Sequence, residues 1–175
     1  MVYRGYDRED GLWDIEAELT DVKPYTFQVP SEKAFPAHEP IHHLSVRLTI
    51  DDQMRVLAVD TAMDQIPHPE CSQVPPNMQS LVGARLGRGW RKTIDENIGG
   101  TAGCTHLREM LFNMATAAFQ TLPSGQWHRR NLRGQAQPAI TEAPFHLGHC
   151  MTWALDSPTV ARAYPMFYKP PEKKA

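Results

Sequence analysis

Four side chains frame the chemical question: Cys71, Cys104, His106 and Cys150. Thiolate sulfur and imidazole nitrogen are the ligands zinc favours. Three sulfurs and one ring nitrogen satisfy its tetrahedral shell at bond lengths of about 2.0–2.3 Å. No cysteine belongs to a CxxC pair, so local spacing does not announce a zinc finger and the fold has to assemble the site. With Cys150 included, the shell is closed and structural, and the protein reads as an accessory or scaffold-like metal-binding module. With Cys150 elsewhere, Cys71, Cys104 and His106 leave one position for water, which zinc activates for hydrolase or lyase chemistry. The small substrate would then be aromatic or acyl, with Trp90, Trp127 and Trp153 as pocket walls. Glu109 and Asp64 are the candidate general bases. Iron or an iron–sulfur cluster is the less favoured occupant, because of the imidazole and the mixed ligand set.

A metal-free alternative makes Cys104 a nucleophile. His106 is two residues on, and positions i and i+2 of a helix point to different faces. The base is therefore expected from elsewhere, at His68 or His149. The plainer account makes Cys71 and Cys150 buried thiols and His106 a helix cap. One of His42 and His43 must point to the core face of its strand, where a satisfied core histidine is the common outcome. Arg85, Arg88, Arg91 and Lys92, with Arg129, Arg130 and Arg133, offer a local anion patch or simply a solvated face.

Which elements position these groups follows from patterning. Residues 1–11 are polar and read as an arm. The sheet is expected over 12–64. Trp13, Ile15, Ala17 and Leu19 alternate with Asp14, Glu16, Glu18 and Thr20, and Leu44, Val46, Leu48 and Ile50 repeat the pattern after His42. A third strand over 54–62 carries Val56, Leu57 and Val59, giving a three-stranded antiparallel meander with one face under helices. The 25–40 stretch is a long loop or a poorly paired edge, with Pro30 and Pro36 as breaks.

The helical layer spans 77–122, with helices from Asn77 to about Leu86, from Trp90 to Ile98, and from Thr105 to Leu122. In the last, Leu107, Met110, Leu111, Met114 and Ala118 share a face, and Thr105 is the expected N-cap. Residues 99–103 form a glycine-rich turn that delivers Cys104 to the helix start. A polar loop follows over 123–144, then a C-terminal extension over 145–168 with a short helix at Val160, Ala163 and Tyr164, and a tail over 169–175. The fold class is α+β, in one domain over 1–175.

Composition narrows the partners. A net charge of −2 and basic residues without interleaved aromatics argue against nucleic acid. No apolar run approaches the roughly 18 residues of a membrane span. The first residues lack an apolar signal core, which predicts a cytoplasmic protein. An odd count of three cysteines argues against a disulfide framework. A small molecule or a partner protein remains as ligand, with a homodimer left open.

The runs Asp10-Gly11-Leu12-Trp13-Asp14-Ile15-Glu16-Ala17, Leu19-Thr20-Asp21, Gly99-Gly100 and Gly103-Cys104-Thr105-His106-Leu107 resemble the bacterial domain-of-unknown-function family 2889. Leu81-Val82-Gly83, Gly89-Trp90, Ala118-Phe119-Gln120, Cys150, Trp153 and Tyr164-Pro165 extend the likeness over most of the chain. The family carries no assigned activity. The order of strand meander, cysteine, helix and Cys-Thr-His-Leu is also similar to iron–sulfur scaffold proteins of the NifU and IscU type, and to a small domain appended to some ribonucleotide reductases. That resemblance implies a zinc or nascent-cluster site in which Cys71 matches the cysteine after the strands. Cys104 with His106 stands for the scaffold's His-Cys pair, here in reversed order and one residue apart. The scaffold's middle cysteine has no counterpart, and Cys150 falls in an extension beyond the scaffold core.

Overall fold

Alternating apolar residues build the sheet, and the computed structural model, which describes residues 1–171, shows six strands. They are β1 (Val2–Asp7), β2 (Trp13–Val22), β3 (Phe27–Gln28), β4 (Ala34–Phe35), β5 (Pro40–Ile50) and β6 (Val56–Gln65). Four of them form one antiparallel sheet in the order β1-β2-β5-β6. Trp13, Ile15, Ala17 and Leu19 of β2 and Leu44, Val46, Leu48 and Ile50 of β5 are buried on its inner face, as their period requires. The α+β class holds. The three-stranded meander is corrected to a four-stranded sheet, because the stretch expected as an arm, 1–11, supplies an edge strand.

β1 escapes the periodicity because its inner positions are Tyr3, Gly5 and Asp7, opposite Ala17, Ile15 and Trp13. Gly5 carries no side chain to reveal the face, and a Cβ there would run into Thr121 of the overlying helix. β3 and β4 pair over two residues each inside the stretch expected to be a long loop or a poorly paired edge, and Val29, Phe35 and Ile41 gather in a small apolar cluster.

The expected helix over 77–86 is absent. Two 3-10 segments, Pro69–Gln73 and Pro75–Leu81, take its place, with Pro at the start of each and Met78 and Leu81 buried. The chain then returns to the sheet, where Val56 N–H donates to Ala84 O at 2.8 Å. α1 (Trp90–Ile98) buries Trp90, Ile94 and Ile98. α2 (Thr105–Leu132) buries Leu107, Met110, Leu111, Met114, Ala118 and Leu122. The main core lies wholly within Trp13–Leu122.

α2 does not stop at Leu122. It runs through Pro123, Ser124 and Gly125, where a polar loop was expected. Tertiary contacts override the local breakers. Gly125 lies against the Trp13 ring so closely that a Cβ would overlap it. The Trp13 indole N–H donates to Asp52 at 2.8 Å, and Gln126 donates to the same carboxylate at 3.1 Å. Arg129 stacks 3.8 Å from the Trp13 ring centroid, pairs with Asp7 at 2.7 Å, and donates to the carbonyls of Gly11 and Leu12.

The single domain expected over 1–175 meets a chain that divides into two compact units, Met1–Arg129 and a second beginning at Arg130. In the second unit, Ser157 caps α3 (Pro158–Ala163) by accepting from the Val160 N–H at 3.2 Å, and Leu147 and Val160 are buried. His146, Trp153 and Tyr164 pack ring on ring, with centroids 4.5–5.8 Å apart. The tail expected over 169–175 lies outside the described residues from 172 onward.

Candidate functional site

Cys104 stands immediately before α2, and its carbonyl accepts the first helical hydrogen bond, from Arg108 N–H at 3.0 Å. By that criterion Cys104, rather than Thr105, is the N-cap. The turn feeding it is tight: a Cβ on Gly103 would collide with the Ile98 carbonyl at the end of α1. Glycine is needed there for close packing of α1 on the turn.

The Cys104 sulfur lies 3.8 Å from His106 Nδ1. The rule that i and i+2 diverge applies between two helical residues, and Cys104 is outside the helix. The imidazole next to the thiol is therefore His106. His68 faces Glu32 at 3.9 Å, and His149 is an exposed residue of the second unit.

Behind His106 stand two residues that patterning alone did not connect. The His42 ring centroid is 4.1 Å from that of His106, with the planes at 41°. His42 Nδ1 is 3.2 Å from Asp21 Oδ2, and Lys23 Nζ is 3.4 Å from the other carboxylate oxygen. Asp21 and His42 are direct cross-strand partners in the β2–β5 register, beside an irregularity at Asp21/Val22. Three elements thus supply a chain of four side chains: Asp21, His42, His106 and Cys104. Burial, then the charge of His42, holds His106 below the ordinary imidazole value, with Asp21 pulling the other way. Burial pushes Asp21 up, yet hydrogen bonds from His42 and Lys23 outweigh it and leave the carboxyl below its usual range. Alternation marks His42 as core-facing. The pairing that brings Asp21 to it is a register fact, 21 residues away in sequence.

Cys71 sits in the 3-10 segment Pro69–Gln73 and, with Cys104, lines an open cavity of about 580 Å³. Glu70, Gln73 and Asn77 line it too, and the Asn77 amide donates to Ala102 O at 2.7 Å, strapping one wall to the other. Cys150 is exposed and belongs to the second unit. Among the described residues, no three His, Cys, Asp or Glu side chains converge as a group able to hold a metal ion. Of the four expected zinc ligands, the structure sets Cys104 beside His106 and places Cys71 on the same cavity.

The expected bases lie apart from the thiol. Glu109 is exposed on α2, where its charge helps to raise the Tyr3 phenol, after burial and against Asn113. Asp64 is on the opposite face of the sheet, 3.7 Å from His43 and near Glu18 and Arg47. Of the basic residues offered as an anion patch or a solvated face, Arg85 donates to Gln53 O, Arg91 covers the Phe112 ring and Arg129 holds Asp7. Trp90 is core, its indole donating to Leu111 O at 2.7 Å. No helix among the described residues is long and apolar enough to cross a membrane.

The model of a family described as a protein of unknown function (DUF2889) matches residues 1–120. No curated protein and no solved structure matches the chain, so the likeness to iron–sulfur scaffolds rests on the order of sequence features alone.

Proposed function

We propose, from the premise that the chain belongs to the DUF2889 family, that its first unit is a thiol-dependent enzyme acting on small acyl substrates. Cys104 is the nucleophile and His106 its proton acceptor. The observation that carries this reading is the 3.8 Å separation of Cys104 Sγ and His106 Nδ1, with Cys104 itself lining a cavity of about 580 Å³. That volume is within the range of small-molecule pockets. The first-turn N–H groups of α2, which have no carbonyl partner inside the helix, flank Cys104 and suit a developing oxyanion.

The sulfur attacks the carbonyl carbon of an activated ester or thioester. A carbon–sulfur bond forms as the bond to the leaving alcohol or thiol breaks, and the thiol proton reaches that group through His106. Water then attacks the acyl carbon, gives its proton through His106 to the Cys104 sulfur, and releases the carboxylic acid. Incubation with p-nitrophenyl acetate and a short acyl thioester tests this by intact-protein and peptide mass spectrometry. One acyl group on Cys104 is expected, absent in Cys104→Ser and formed about 100-fold more slowly in His106→Gln. Labelling spread evenly over Cys71, Cys104 and Cys150 would overturn it.

A zinc-binding accessory protein is the second reading. It is favoured by the same separation, since bonds of 2.0–2.3 Å give a tetrahedral sulfur–nitrogen edge of about 3.5 Å. Cys71, from across the cavity, is the third ligand this reading calls on. Iron or an iron–sulfur cluster stands behind zinc here as well. Metal analysis of untagged protein decides: stoichiometric zinc in the parent, lost in Cys104→Ser, selects this reading. A metal-free parent that still acylates at Cys104 selects the first.

A further inference from the structure

We infer that Asp21 and His42 are positioning residues that hold the His106 ring toward Cys104, an inference that rests on reading Cys104 and His106 as the reacting pair. Asp21 and His42 face each other across β2 and β5, on strands fixed by a long antiparallel ladder. The strand irregularity at Asp21/Val22 re-aims the end of β2, the role such irregularities play beside functional sites. The Asp21 carboxylate, itself steadied by Lys23, accepts from His42 Nδ1–H at 3.2 Å. A carboxylate only accepts, so that bond places a proton on His42 Nδ1, and it fixes the plane of the ring.

The fixed ring then acts on its neighbour. At 4.1 Å between centroids, His42 closes one side of His106 to rotation, and the orientation His106 adopts directs Nδ1 at the Cys104 sulfur. His106 is half-buried on the first turn of α2, where an unsupported imidazole samples several rotamers. A carboxylate behind a histidine supplies the same orienting support around metal and catalytic centres, where its removal costs roughly 10–100-fold. Here the support acts through a second ring.

The experiment compares the parent with Asp21→Asn, Asp21→Glu, His42→Gln and His106→Gln, each first checked by circular dichroism for an intact fold. Iodoacetamide alkylation is followed for each cysteine by peptide mass spectrometry, so that Cys71 and Cys150 serve as internal references. Long-range proton–nitrogen spectra of the imidazoles report the ring orientation and tautomer independently. Asp21→Asn and His42→Gln are expected to slow Cys104 alkylation about tenfold and to shift the His106 imidazole signals. Cys71 and Cys150 should react as in the parent, and Asp21→Glu should recover part of the Cys104 rate. Parent-like Cys104 rates with unshifted His106 signals in both variants would overturn the inference, while a slowed His106→Gln left the acyl-enzyme reading standing. An unchanged rate in His106→Gln would sink that reading, and the imidazole spectra would still say whether Asp21 and His42 hold the ring. Equal slowing of all three cysteines would mark Asp21 and His42 as general stabilisers of the sheet end and would also overturn the inference. Should Asp21→Asn fail to fold, His42→Gln alone reads the same ring.

Discussion

Partial burial disfavours the charged form of an imidazole and so makes folding depend on pH, with a sign fixed by linkage. His106 is held below the ordinary histidine value of about 6.5 by burial and then by His42. In the unfolded chain that ring takes its proton near 6.5, whereas in the folded chain it does so only at lower pH. Between the two values the unfolded state binds more protons, so the stabilisation present above about pH 6.5 is lost as pH falls toward the folded value. His146, held down by its own burial in the second unit, has the same sign. Asp21 and Glu18 are also held down, Glu18 by His43 and then Arg4. Their loss begins only below the carboxylate range near pH 4, so the windows separate. Urea titrations at about pH 7.5 and 5.5 are expected to show a lower midpoint at the acid value. His106→Gln should flatten part of that difference and His146→Gln the remainder. A parent midpoint that rises on acidification would contradict the assignment.

At the scale of elements, the far half of α2 is held by contacts from a distance. Arg129 donates to Asp7 and to two carbonyls of the β1–β2 connection while lying on Trp13, which itself bonds Asp52. Arg129→Ala should cost about 1–2 kcal/mol in chemical denaturation, a discounted sum of charge-assisted bonds and a stacked cation near the surface. Arg129→Lys should recover little, because an ammonium cannot fork across a carboxylate or cover an indole. Gly125→Ala adds a methyl group where the Trp13 ring already lies and should cost about 1–3 kcal/mol. A parent-like urea midpoint in Gly125→Ala would mean that α2 does not lie on Trp13 as described. The same contacts explain what the sequence could and could not disclose. β2, β5 and the first half of α2 are legible because their apolar periods survive without gaps. β1 is not, since Gly5 empties its central inner position. Pro123-Ser124-Gly125 reads locally as a helix end, and only Trp13, Asp52 and Asp7, more than 70 residues away, make it helix. Cys104 and His106 are legible as a motif, but their proximity depends on Cys104 preceding the first helical residue. Asp21 and His42 join them through strand register, which no local pattern encodes.

For the whole molecule, the distribution of the core decides what folds alone. Every member of the main apolar cluster lies between Trp13 and Leu122, and the contacts that secure the end of α2 are complete by Arg129. A chain of about 130 residues with one continuous core is large enough to fold cooperatively. Residues 1–134 therefore make the informative truncation, ending just after α2 at Gly134, where a positive φ of 62° closes the helix. It should unfold in a single urea transition with the fluorescence change of buried Trp13 and Trp90. It should also retain the Cys104 alkylation rate of the full chain, because Asp21, His42, His106 and Cys71 all lie within it. The same sample settles the place of Cys150, which it lacks. Zinc bound stoichiometrically by residues 1–134 would remove Cys150 from any ligand set, and zinc bound by the full chain alone would require it. A truncated chain without a cooperative transition would show that the first unit depends on residues beyond Gly134. Its chemistry would then have to be sought in the intact protein.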